Sequence, residues 1–141
     1  MGFFSSLFGF AESKKTSIND EINIMDAINA HVRWKVRLDR CLNGTSEETL
    51  DPKVICRDDQ CVLGKWIHGT APKHFNSDEY LNILREHHAK FHVLAASVVE
   101  RIQANDKAAA EKILFGEYNE TSRNVIRDLT ELGKHLAIDK L

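Results

Sequence analysis

The sequence predicts an all-α protein, an antiparallel four-helix bundle with a short extra helix that carries a cysteine. Apolar residues recur every three or four positions through long stretches, and no convincing run of alternating strand-like residues occurs. Gly and Pro are sparse, seven and two in 141 residues, which suits long helices joined by short loops. With 43% hydrophobic and 28% charged residues, a chain of this length is expected to form one domain with a sizeable core.

Residues 1–15 form an amphipathic N-terminal tip with Phe3, Phe4, Leu7, Phe8 and Phe10, set apart from a helical domain over residues 16–141. The tip is far too short to span a bilayer. It reads as a frayed terminus packing on the bundle, or, through residues 1–12, as an interfacial anchor or docking peptide.

Ser17, with Asp20 three residues later, is placed to cap the first helix. Its apolar stripe is Ile18, Ile22, Met25, Ile28, His31, Trp34, Leu38 and Cys41, and Asn43-Gly44 ends it. Thr45 to Asp58 reads as a polar loop punctuated by Pro52. Asp58 or Asp59 caps the short helix Cys61 to Ile67, closed by Gly69 to Pro72. Asn76 starts the third long helix, with Leu81, Leu84, His88, Phe91 or His92, Ala95 and Ile102 on its stripe. Asn105-Asp106 breaks it and caps one last helix running through Leu114, Tyr118, Thr121, Val125, Leu129, Leu132 and Leu136.

The chemistry concentrates on His31, Cys61, His88 and His92. His88 and His92 are four apart, so both imidazoles lie on one helix face. Three neutral imidazoles and a thiolate are a complete donor set for tetrahedral Zn2+, at about 2.0–2.1 Å for nitrogen and 2.3 Å for sulfur. The competing reading is three core histidines on apolar stripes, but three buried rings would each need a polar partner, and one shared ion satisfies them together. His87, one residue off the stripe, should point outward, and His68, His74 and His135 should be solvated. Trp34 and Trp66 are expected as core anchors shielding the metal, and Gly64 as a point of close packing. Asp20, Asp26 and Glu86 are carboxylates that could offset the charge of the site. Cys41 reads as a small buried hydrophobe and Cys56 as a loop cysteine, with a resolving thiol for Cys61 as its other reading.

Three cysteines at irregular spacing make a poor disulfide framework, and no basic stretch precedes the apolar tip as a secretory signal requires, so a reducing cytoplasm is expected. Net charge is −2, and no basic patch interleaved with aromatics points to nucleic acid.

The pattern His31, then Cys61-Val62-Leu63-Gly64-Lys65-Trp66, then His88-Ala89-Lys90-Phe91-His92 resembles the chemoreceptor zinc-binding (CZB) domain family of bacterial signalling proteins. The Cys-x-Leu-Gly-x-Trp element is the specific part, because it fixes four identities in six positions. The likeness covers roughly Ser17 to Asn105. It implies a homodimer, Zn2+ on the four residues, and a regulatory role responding to zinc level or to oxidation of Cys61 by hypochlorous acid. A closed four-ligand site lacks the open position of a hydrolytic zinc enzyme, so no enzyme activity is expected. No cyclase sequence or long receptor coiled coil is legible, so output is expected in trans, on a chemoreceptor or diguanylate cyclase. Two alternatives stand beside this: a structural or storage zinc protein, and a hemerythrin-like di-iron bundle, which would need more inward histidines and bridging carboxylates.

Overall fold

A computed structural model of the chain describes residues 18–75 and 79–138. The N-terminal tip, the Ser17 cap and the Asn76 helix start fall outside these residues. The described residues are helical or irregular, with no strand among them. The helices are α1 (Ile24–Leu42), α2 (Pro52–Ile55), α3 (Val62–His68), α4 (Glu79–Gln103), α5 (Lys107–Phe115) and α6 (Glu117–Ile138), with a 3₁₀ turn at Ala71–His74 after α3.

Helix α1 starts later than its apolar spacing predicts. Residues 18–21 are helical, but Ile22 and Asn23 are not. Asn23 is extended (φ −91°, ψ 108°), and its side-chain oxygen accepts the Asp26 N–H at 2.9 Å. An Asn cap of this kind stabilises a helix by about 1 kcal/mol, so a stripe running through Ile18, Ile22 and Ile28 contains a helix restart. One consequence is that Met25, expected on the inward stripe, is 61% exposed. The far end follows expectation: Gly44 takes a left-handed φ of 73°, and the Thr45 N–H reaches back to the Arg40 carbonyl at 2.9 Å.

The expected last helix is two helices. Gly116 breaks it at φ −108°, ψ −106°. A Cβ there would stand 2.7 Å from the Lys112 carbonyl oxygen, so the bend requires glycine. Asn105 ends α4 with a φ of 59°, and Asp106 caps α5 by accepting the Ala109 N–H at 3.2 Å.

Helix α4 is the centre of the structure. It packs against α1, α2, α3, α5 and α6, and it is buried on more than one face, at Leu84, Phe91, Ala95, Val98 and Val99 among others. Helix α6 packs on both α1 and α4 through Val125, Leu129 and Leu132, each fully buried. Side chains of this size contribute about 1.5–3 kcal/mol each when removed from water. α4 therefore supplies a rigid surface against which α1 and the segment around α3 are positioned.

Candidate metal centre

His31 from α1, Cys61 from the residue preceding α3, and His88 and His92 from α4 each place a donor atom within 4.8 Å of the other three. The elements arrive there for separate reasons. His88 and His92 are one turn apart on the buried side of α4, with ring centroids 4.6 Å apart. His31 falls on the inward face of α1, edge-on to His88 at 5.1 Å and to Phe91 at 5.0 Å. Cys61 is the N-cap of α3, its sulfur accepting the Gly64 N–H at 3.3 Å. Gly64 is what lets this turn close: a Cβ there would lie 1.7 Å from the Asp58 carbonyl oxygen. The close packing expected of Gly64 is thus against the loop that leads into its own helix.

The donors have the spacing of a coordination shell. The Cys61 sulfur is 3.3 Å from His88 Nε2 and 3.7 Å from His92 Nε2, and the two Nε2 atoms are 3.1 Å apart. Tetrahedral zinc at ordinary bond lengths sets nitrogen–nitrogen and sulfur–nitrogen edges of about 3.3–3.6 Å. His31 Nδ1 lies 2.7 Å from the Ala27 carbonyl, and His92 Nδ1 lies 2.9 Å from the Ile55 carbonyl. A carbonyl only accepts, so both Nδ1 atoms carry the proton and both Nε2 atoms turn lone pairs inward. His31 Nε2 is buried with no hydrogen-bond partner. Lone pairs collected in a buried space repel unless a proton or a cation lies among them. The residues present therefore fit zinc, which when bound would hold the thiolate ionised and join α1, α3 and α4 through one ion.

The electrostatics of the imidazoles agree. Burial pushes the His31, His88 and His92 imidazoles down, His88 to about 2 with help from its histidine neighbours. All three are thus neutral at pH 7, as ligands must be. Burial pushes the Cys61 thiol up, against the Gly64 and Leu63 N–H groups that favour the thiolate.

The partners of His31 and His92 are carbonyls, those of Ala27 and Ile55. The three carboxylates expected to offset the charge do not hydrogen-bond any of the four residues. Periodicity cannot reveal backbone acceptors, so this part of the site has no sequence signal. His88 Nδ1 is buried without a partner. His87 turns away from the cluster but does not point outward: it is half-buried and faces α6, where it meets the Asp128 carboxylate at 2.6 Å. Asp128 is 1% exposed, and burial pushes its carboxyl up while His87 opposes the shift.

His74 corrects the expectation of a solvated side chain: it is 4% exposed. Its Nε2 lies 2.8 Å from a Glu21 oxygen. The same carboxylate accepts from Trp66 Nε1 at 3.2 Å and from the Thr70 hydroxyl. Glu21 thereby ties the segment before α1 to α3 and the turn that follows it. Burial pushes the Glu21 carboxyl up, but bonds from Thr70, His74 and Trp66 outweigh it and hold it below the usual range. Trp66 is buried as expected, whereas Trp34 is only partly covered and lies under the Arg37 guanidinium at 3.9 Å. Cys41 is half-buried beside the core, and Cys56 is exposed with its thiol 3.3 Å from the Lys53 carbonyl.

Residues 31–99 match the family model described as the chemoreceptor zinc-binding domain, inside the span over which the resemblance was read. No curated protein and no solved structure matches the chain. The match runs from the first of the four donors past the last, and contains the whole Cys-Val-Leu-Gly-Lys-Trp element. Over residues 31–99, close to half of its length, the chain matches the chemoreceptor zinc-binding domain family.

Proposed function

We propose that the protein is a cytoplasmic zinc-binding regulatory module, without catalytic activity, that responds to zinc level or to oxidation of Cys61 and acts in trans on a chemoreceptor or diguanylate cyclase. The observation that supports it best is the convergence of three neutral imidazoles and one thiol from three elements on one buried point. Four protein donors leave no open position for a substrate, so the ion acts through structure. Its loss frees α1, α3 and α4 from a common tie. A partner that discriminates the two arrangements reads out the metal state. Cys61 is the one donor that is not fully buried, which supports it as the point of chemical attack. No helix among the described residues is long and apolar enough to cross a membrane.

A homodimer is part of this reading. Met25, Val32 and Val36 lie seven and four residues apart on the outer side of α1, exposed at 61, 48 and 46%. Phe115 of α5 is 59% exposed and lies near Lys35 of α1. A second copy of the chain would take these large apolar side chains out of water. Residues 1–12 would then set location or partner choice.

The test is hydrogen exchange on the full chain with zinc and after chelation, paired with capture of a purified chemoreceptor or cyclase under both conditions. The regulatory reading expects faster exchange in α1 and α3 without zinc, and capture that depends on the metal. Capture indifferent to chelation would leave a structural or storage zinc protein.

A further inference from the structure

We propose that a cavity of about 390 Å³ beside the metal centre is the port through which a zinc ion, or a small thiol or amine ligand that exchanges with it, reaches Cys61, and that Arg37 is its latch. The inference rests on the zinc reading above. The cavity is lined by Trp34 and Arg37 of α1, by Thr49 and Leu50 of the following loop, and by two of the four donors, Cys61 and His92. The larger cavity, about 770 Å³ between the start of α1 and the end of α6, is lined by none of the four. His31, His88 and His92 are 2, 0 and 4% exposed, so access from solvent leads to the sulfur first.

The Arg37 side chain forms one wall. Its guanidinium lies 3.9 Å over the Trp34 ring and makes two bonds to Glu48, Nη2 to Oε1 at 2.8 Å and Nε to Oε2 at 3.1 Å. A fork held at both nitrogens and stacked on an indole has little rotamer freedom. Glu48 belongs to the same loop as Thr49 and Leu50, but that loop has a separate anchor: Gln103 of α4 donates to the Leu50 carbonyl at 2.8 Å. Breaking the Arg37–Glu48 pair therefore frees the arginine while the loop stays attached to α4. The two arginines at the lining are paired, Arg37 with Glu48 at 2.8 Å and Arg57 with Asp59 at 3.6 Å, and Asp51 adds a carboxylate, so the passage does not carry the net positive charge that would repel a small cation.

A latch is not a ligand. It changes the barrier to passage in both directions and leaves the end states alone, so uptake and release must change by one factor while Kd stays fixed. The experiment measures zinc uptake by the metal-free chain, and zinc release to 4-(2-pyridylazo)resorcinol, for the natural protein, Glu48→Gln and Thr49→Trp. Glu48→Gln is expected to speed both rates by about two- to fivefold, the opening expected on losing one surface ion pair. Thr49→Trp is expected to slow both. Unchanged rates in both variants, or a change in release alone with a shifted Kd, would overturn the port.

Alkylation of the metal-free chain by iodoacetamide supplies a readout independent of zinc. The Cys61 sulfur bonds to the acetamide carbon, iodide leaves, and the thiol proton passes to solvent. Exposed Cys56 serves as the internal reference. The Cys61-to-Cys56 rate ratio should rise in Glu48→Gln and fall in Thr49→Trp, and a ratio equal in all three proteins would also overturn the port. A natural protein that takes up no zinc at all would instead refute the metal reading, with the alkylation ratio still deciding the port.

Discussion

Two polar clusters lie at the two ends of the segment around α3, and they are closed in opposite ways. At the clasp, Glu21 accepts from Trp66, Thr70 and His74, so donors meet an acceptor and protein alone completes the set. At the metal centre, Nε2 atoms and a sulfur converge, with Nε2 of His31 left without a partner. The clasp is finished by folding. The metal centre is left for a cation to finish. A buried polar group left unpaired costs about 1–3 kcal/mol, so the second cluster stores a demand that a bound zinc ion would meet and the first stores none. The contrast teaches how to separate a ligand set from an ordinary polar core: by whether donors face acceptors or acceptors face each other.

The contrast breaks first, and most severely, at the donors. His88→Ala or Cys61→Ala should reduce zinc from close to one ion per chain to near none, whereas His87→Ala should keep it, since His87 faces Asp128. Elemental analysis of the purified variants decides this, and equal loss from His87→Ala and His88→Ala would refute the assigned helix face. Gly64→Ala should come next. Its Cβ would meet the backbone of Asp58 at 1.7 Å, and backbone cannot yield as a flexible side chain does. A loss of about 3 kcal/mol in denaturant unfolding is expected, with weaker zinc binding because Cys61 must move with the turn.

A smaller effect is expected at the clasp. Glu21→Ala should destabilise the fold by about 1–3 kcal/mol by stranding the Trp66 and His74 donors, yet leave one zinc per chain. Its pH dependence has a definite sign. The Glu21 carboxyl is held below its ordinary value of 4.5, so the charged form is favoured by folding. The stabilisation is fully present above that ordinary value and is lost as pH falls through the depressed one. Urea midpoints of the natural protein and Glu21→Gln should therefore converge at acid pH, and a gap that widens on acidification would contradict the clasp. Smallest of all, Cys56→Ser should leave zinc content and stability unchanged within about 0.5 kcal/mol, because the thiol is exposed and apart from the cluster.

The sequence made the donors legible because helical periodicity and short spacing are local. His88 and His92 share a face by arithmetic, and Gly64 sits inside a six-residue element whose tightness is written in its identities. The clasp was invisible for the converse reason. Glu21 and His74 are 53 residues apart, and nothing near His74 marks it as the partner of a carboxylate. The breaks at Asn23 and Gly116 were missed because an apolar stripe can run straight across a helix interruption when both flanking pieces pack on the same neighbour. Met25 shows the same error from the other side, since its register belonged to a helix that starts afresh after Asn23. The Ala27 and Ile55 carbonyls that orient two imidazoles lie beyond any side-chain pattern.

The sulfur of Cys61 serves two structures at once. It begins α3 by accepting the Gly64 N–H, and it offers the fourth corner of the donor set. A thiolate sulfur has three lone pairs, enough to accept the N–H and coordinate the ion together. In the language of circuits the atom is a shared node: an alkyl group placed on it addresses the first turn of α3 and the metal with one signal. Alkylation of Cys61 should thus loosen Val62–His68 and empty the ion site together.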